Sequence, residues 1–214
     1  MAPRTSEQYE NIREEKKNLI MQAALEHFAR NGYHVTTISH IAKDAGISKG
    51  LIYNYFESKE ALLNEIIYKS LSEIYKYFDI NRDGVLTEEE FEFFVKQIFR
   101  ILGEKKTFWR LFFQLLMQNE VREQFLKNAG RLFLPDDSVK NEPAGRYILN
   151  ISGIINDYFE RKKEKKGADY DPGLELTMFM YSLKGFALTF VFGDESFNET
   201  RFEKSLNKII ELYK

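Results

Sequence analysis

Proline is confined to four positions in this chain of 214 residues, Pro3, Pro135, Pro143 and Pro172, and none of them interrupts an apolar pattern. A proline inside a helix removes a hydrogen bond and clashes with the preceding turn, so the long stretches between these positions are open to unbroken helices. Apolar residues fill those stretches at three- and four-residue spacing rather than in alternation. This predicts an all-α fold of about nine helices, with no strand. With 43% hydrophobic residues the chain can bury a full core. The absence of cysteine excludes a disulfide framework, a thiolate zinc site and cysteine-based catalysis.

The first helix is predicted from about Ser6 to Arg30, with Ile12, Leu19, Ile20, Ala23, Ala24 and Phe28 on one face and Asn31-Gly32 as its stop. Thr36 or Thr37 caps a short second helix whose buried stripe is Ile38, Ile41, Ala42 and Ala45, followed by Gly46. Ser48 caps a third. Ser58 opens a long fourth helix reaching Phe78. Further helical segments follow at 88–102, 105–118, 120–133, 144–162, 173–192 and 198–213. The joints at 134–143 and 161–172 read as loops, and the basic run Arg161–Lys166 reads as a solvated helix end.

Three short helices with a glycine-containing turn between the second and third are the parts of a helix-turn-helix. The stretch from Thr36 to Leu62, TTISHIAKDAGISKGLIYNYFESKEAL, resembles the TetR-family signature. Net charge is −2, and residues 1–60 hold as many acidic as basic side chains, so any affinity for DNA rests on local arrangement. Ser48 at a helix start, with Lys49 beside it, suits a phosphate. Gly50 permits close approach to the duplex, Leu51 suits a thymine methyl group, and Asn54 can pair with adenine. Ile52, Tyr55 and Phe56 are spaced to pack inward. The resemblance implies further phosphate contacts from Thr37, Tyr53 and Lys59. It also implies a division into a DNA-binding domain, 1–57, and an effector-binding and dimerisation domain, 58–214.

Residues 79–90, DINRDGVLTEEE, match the EF-hand calcium loop at its key positions. Asp79, Asn81 and Asp83 would supply side-chain oxygens, Val85 its carbonyl, Thr87 a direct or water-mediated donor, and Glu90 both carboxylate oxygens. A plainer reading is a helix joint, in which Thr87 and Glu90 form a capping box. No required cofactor is expected, and calcium at this loop remains the alternative. The three histidines, His27, His34 and His40, show no zinc spacing and read as packing or surface residues.

Beyond residue 88 aromatic residues are dense, and a helical bundle lined with them suits an apolar or aromatic ligand. The resemblance implies an effector pocket, for which Trp109, Phe112, Tyr147 and Phe179 are the expected lining residues. It also implies a homodimer formed through 173–192 and 198–213, where Met178, Tyr181, Gly185 and Leu188 recur at helical spacing. The segment Leu174–Phe192 is strongly apolar but carries Glu175 and Lys184, which predicts a buried helix rather than a membrane span. No nucleophile–base pair or glycine-rich phosphate loop points to an enzyme. The expectation is a cytoplasmic, ligand-responsive repressor, released from operator DNA by a small apolar or aromatic effector.

Overall fold

The computed structural model describes residues 6–78, 80–119, 121, 123, 143–193 and 198–214. Among these residues the chain forms nine α-helices and no strand. They are α1 (Ser6–Asn31), α2 (Ile38–Asp44), α3 (Lys49–Tyr53), α4 (Lys59–Tyr75), α5 (Glu88–Glu104), α6 (Lys106–Leu116), α7 (Pro143–Lys166), α8 (Pro172–Phe192) and α9 (Glu199–Tyr213). The segment 120–133 and the joint at 134–143 lie almost wholly outside the described residues. The helices divide into two compact units, Met1–Ser70 with Leu111–Gln124, and Leu71–Arg110 with Phe125–Lys214. The first unit thus takes in more than 1–57, because Leu62, Leu63 and Ile66 of α4 and Leu115 beyond it are buried.

In the first unit the buried stripe of α1 is Ile20, Met21, Ala24, Leu25 and Phe28. Leu19, expected inside, is 42% exposed. Successive helical residues are turned by about 100°, so a face centred one residue later excludes Leu19 and admits Met21 and Leu25. α1 packs on α2, and α2 on α3. Ile41 and Ile52 are fully buried. Gly32 and Gly46 take φ of 96° and 64°, the left-handed conformation that ends α1 and turns the chain after α2. α3 is short, because the Ile52 carbonyl accepts from both Tyr55 and Phe56 N–H and closes the helix into a turn.

In the second unit α8 packs on α5, α7 and α9. Its core is aromatic: Phe91 stacks on Tyr158 at 4.8 Å, and Phe179 lies 5.0 Å from Phe91, 5.9 Å from Phe159 and 5.3 Å from Tyr213. Three helices are capped as their sequences require. Asp171 accepts from Leu174 N–H, Asn198 from Arg201 N–H, and Thr87 from Glu90 N–H.

Three expectations for this unit are corrected. Residues 161–166 are not a loop but the last turns of α7, which ends at Gly167 with φ 92°. Nor is the whole run solvated. Lys162 is buried and donates to the Tyr213 carbonyl at 2.5 Å, and Arg161 donates to the Leu86 carbonyl at 2.7 Å. Burial, with Lys166 nearby, pushes the Lys162 ammonium down to about 8. α8 is likewise not a buried helix. It is long and apolar enough to cross a membrane by length and composition, and it packs through one face: Phe179, Ala187 and Val191 are buried while Leu174, Met178 and Tyr181 are exposed.

Candidate nucleic-acid interface

The candidate surface is built over a small apolar core. Ile52 is fully buried and Phe56 nearly so, which turns the other side of α3 outward. Lys49, Gly50, Tyr53 and Asn54 are all exposed and recur at i, i+1, i+4 and i+5, one face of a helix. Leu51 is half-buried at the edge of that face, and Tyr53 is 47% exposed. Ser48 and Thr37 are exposed at the starts of α3 and α2. Ser48 Oγ accepts from Leu51 N–H at 3.1 Å, and Thr37 Oγ1 accepts from His40 N–H at 3.2 Å. Each hydroxyl caps as an acceptor and keeps its own O–H to donate outward, which is what a phosphate oxygen requires. No added Cβ at Gly50 would meet anything within 4 Å, so the space over α3 is open on the protein side.

Lys59 stands apart from this surface. Its Nζ donates to the carbonyls of Tyr33, His34 and Thr36 at 2.8, 3.3 and 3.0 Å and lies 4.4 Å from the Tyr33 ring centroid. An ammonium has three N–H groups, so all of them are engaged on the protein. Burial lowers its pKa from the ordinary value. Lys59 thereby clamps the turn between α1 and α2. That turn is also held by Gln118, whose Oε1 accepts from Tyr33 N–H at 2.9 Å and whose Nε2 donates to the Phe28 carbonyl at 2.6 Å. Sequence reading missed Gln118, since a lone polar residue past the end of a helix carries no local signal. His27 also braces the unit: Nε2 lies 2.7 Å from Asp44 Oδ2 on α2, and Nδ1 lies 3.0 Å from Asn31 Nδ2.

The family model for bacterial regulatory proteins of the tetR family matches residues 20–66, from the middle of α1 into α4. Residues 20–66 thus carry a tetR-family helix-turn-helix segment. Over its length it is similar to the fatty acid metabolism regulator protein of Bacillus subtilis, at 23% identity, covering 89% of this chain and 91% of that one. A shorter match, 55% identical over 49 residues, is to an uncharacterised helix-turn-helix regulator of Bacillus subtilis, YuxN, and spans 17% of that protein. Among solved structures, the fatty acid degradation regulator FadR from Bacillus halodurans superposes with a TM-score of 0.63 at 23% identity, covering 92% of this chain and 94% of that one. FadR from Bacillus subtilis in complex with stearoyl-CoA gives 0.56 at 22% identity, covering 91% and 96%. These structural likenesses show the fold. The relatives are transcription regulators rather than enzymes.

The expected effector residues are placed as follows. Trp109 and Phe112 lie three residues apart on α6 and are each 1% exposed, with ring partners Phe108 and Phe113 respectively. Phe179 on α8 is fully buried inside the aromatic core described above. Tyr147 falls on α7, and its side chain lies outside the described residues.

At the loop resembling an EF-hand, Asp79 lies outside the described residues. Asn81 Oδ1 accepts from Asp83 N–H at 3.1 Å, and Asp83 Oδ1 accepts from Val85 N–H at 2.8 Å. Thr87 Oγ1 accepts from Glu90 N–H at 3.1 Å while Glu90 Oε2 accepts from Thr87 N–H at 3.0 Å, a complete capping box at the start of α5. The Glu90 carboxylate is thereby engaged on the backbone. Among the described residues no group of three or more His, Cys, Asp or Glu is placed to hold a metal ion. The joint reading therefore accounts for Thr87 and Glu90, and calcium gains no support from the fold.

Proposed function

We propose that this regulator is a homodimeric, cytoplasmic repressor that leaves its operator when an apolar effector binds, and that the first effector class to test is a long-chain acyl-CoA. The observation that carries the DNA half is the exposed face of α3, where Lys49, Tyr53 and Asn54 project from a helix anchored by fully buried Ile52. A helix of this kind enters the major groove, with Asn54 and Leu51 reading base edges and Thr37, Ser48, Lys49 and Tyr53 holding the backbone. The acyl effector is supported by the likeness along nearly the whole chain to a fatty acid metabolism regulator, and by the stearoyl-CoA carried by one structural neighbour. Trp109, Phe112, Tyr147 and Phe179 stay the candidate contacts for its apolar part. No cofactor is required by this scheme.

Dimerisation is supported by α8 and α9. Leu174, Met178 and Tyr181 are 58%, 48% and 64% exposed at spacings of four and three, and a Cβ on Gly185 would meet nothing within 4 Å. A second copy of the same face would cover them. The functional division is then 1–57 for DNA and 58–214 for effector and partner. The boundary between the compact units falls inside α4, after Ser70, so one continuous helix serves as the lever between effector and DNA functions.

A mobility-shift titration tests the scheme. The wild type should retard a duplex from its own upstream DNA, Lys49→Ala with Tyr53→Ala should weaken binding at least tenfold, and stearoyl-CoA should release the complex. Absent retardation at low salt, or retardation indifferent to both substitutions, overturns the DNA half. Release by no acyl-CoA overturns the effector class alone.

A further inference from the structure

The turn between α1 and α2 sets where α2 begins and, because α2 packs on α3, how α3 is presented. Its apolar anchoring is one ring, half-buried Tyr33 edge-on to Phe28 at 5.1 Å, since His34 is exposed and Val35 is 70% exposed. Polar groups hold the backbone of the turn. Gly32 N–H donates to the Phe28 carbonyl, and Thr36 donates from both its N–H and its hydroxyl to the Gly32 carbonyl. Lys59 covers the carbonyls of Tyr33, His34 and Thr36. The Tyr33 N–H and the second lone pair of the Phe28 carbonyl both go to one side chain, Gln118. Gln118 is 85 residues from Tyr33 in sequence and 90 from Phe28, in the turn that follows α6, where its own N–H donates to the Leu115 carbonyl. A carboxamide accepts and donates in one plane, which these two backbone groups together demand.

We infer that Gln118 is a positioning residue for DNA recognition: it fixes the turn between α1 and α2, and through it the pose of α3, without touching DNA. The inference rests on the reading of the α3 face as the DNA-contacting surface. It places a determinant of operator affinity far outside the helix-turn-helix, in the segment after α6. That segment is part of the first compact unit, so the DNA-binding fold is complete only when Leu111–Gln124 is docked.

Full-length wild type, Gln118→Ala and Gln118→Glu are compared at a temperature where all three are folded by thermal melting. Amide exchange is followed at Tyr33, and affinity is measured for a duplex that the wild type selects from a random library. Gln118→Ala is expected to exchange faster at Tyr33 and to bind about tenfold more weakly, the scale of one or two net hydrogen bonds. Its salt slope should match the wild type, since no phosphate contact is lost. Gln118→Glu keeps the volume and the acceptor but turns a lone pair toward the Phe28 carbonyl, so it should bind no better than Gln118→Ala. A packing role would instead leave it near wild type. Wild-type affinity in both variants, or unchanged Tyr33 exchange, overturns the positioning role and leaves the DNA reading standing. A wild type that selects no duplex overturns the DNA reading and the positioning role with it.

Discussion

In the first unit the conspicuous side chains face outward, and in the second they face inward. Lys49, Tyr53 and Asn54 project from α3 over a core of Ile, Leu and Ala side chains with the rings of Phe28 and Phe56. Phe91, Phe159 and Phe179, the aromatic residues that make the second unit look like a ligand bundle, are fully buried against one another. The difference separates two meanings of a dense pattern. A short motif whose polar members are left exposed by the fold is a surface for recognition, whereas aromatic density resolves first into packing energy.

The comparison can be broken by substitutions that ought to move only stability or only association. The largest effect is expected for Phe179→Ala, which removes a ring held between Phe91, Phe159 and Tyr213 and should destabilise the chain by about 3–5 kcal/mol in urea unfolding. A loss under about 1 kcal/mol would mean that Phe179 borders a space able to hold ligand. Next in size, Met178→Lys with Tyr181→Glu on the open face of α8 should shift sedimentation from dimer to monomer while changing monomer stability by less than about 0.5 kcal/mol. Retention of the dimer would place the interface elsewhere. Thr87→Ala should cost about 1 kcal/mol through the lost capping box, by the same amount in calcium and in chelator. A calcium-dependent difference would restore the EF-hand reading.

The smallest effect concerns Glu92, whose carboxyl is held down to about 2 by hydrogen bonds from Lys214 and Lys96. Its folded pKa lies below the ordinary glutamate value of 4.5, so its contribution is present above 4.5 and is lost as pH falls from there toward 2. Glu92→Gln should flatten that part of the stability profile, read by thermal melting across the acid range. An unchanged slope would show the exposed pair to be energetically silent.

Helix positions were legible because the 3.6-residue period and the caps Thr37, Ser48 and Thr87 are local signals, each confirmed by a side chain accepting from a backbone N–H. The exposed face of α3 was legible for the same reason, since Ile52 inward and Tyr53 outward follow from one short helix. The register of α1 was not, because neighbouring stripes around Leu19 and Met21 both satisfy the period. Nor was the end of α7, where a basic run resembles a solvated joint until Tyr213 and Leu86 supply carbonyls for Lys162 and Arg161.

By itself, then, the amino-acid order determined the all-helical class, the caps and the outward face of α3, since all of these depend on residues within about two helical turns of one another. Only the tertiary structure decided that Lys59 clamps three carbonyls, that Gln118 reaches back to Phe28 and Tyr33, and that α8 buries one face and leaves the other open. Those outcomes depend on partners 23 to 90 residues away, whose approach is set by packing of whole helices and leaves no local trace in the chain.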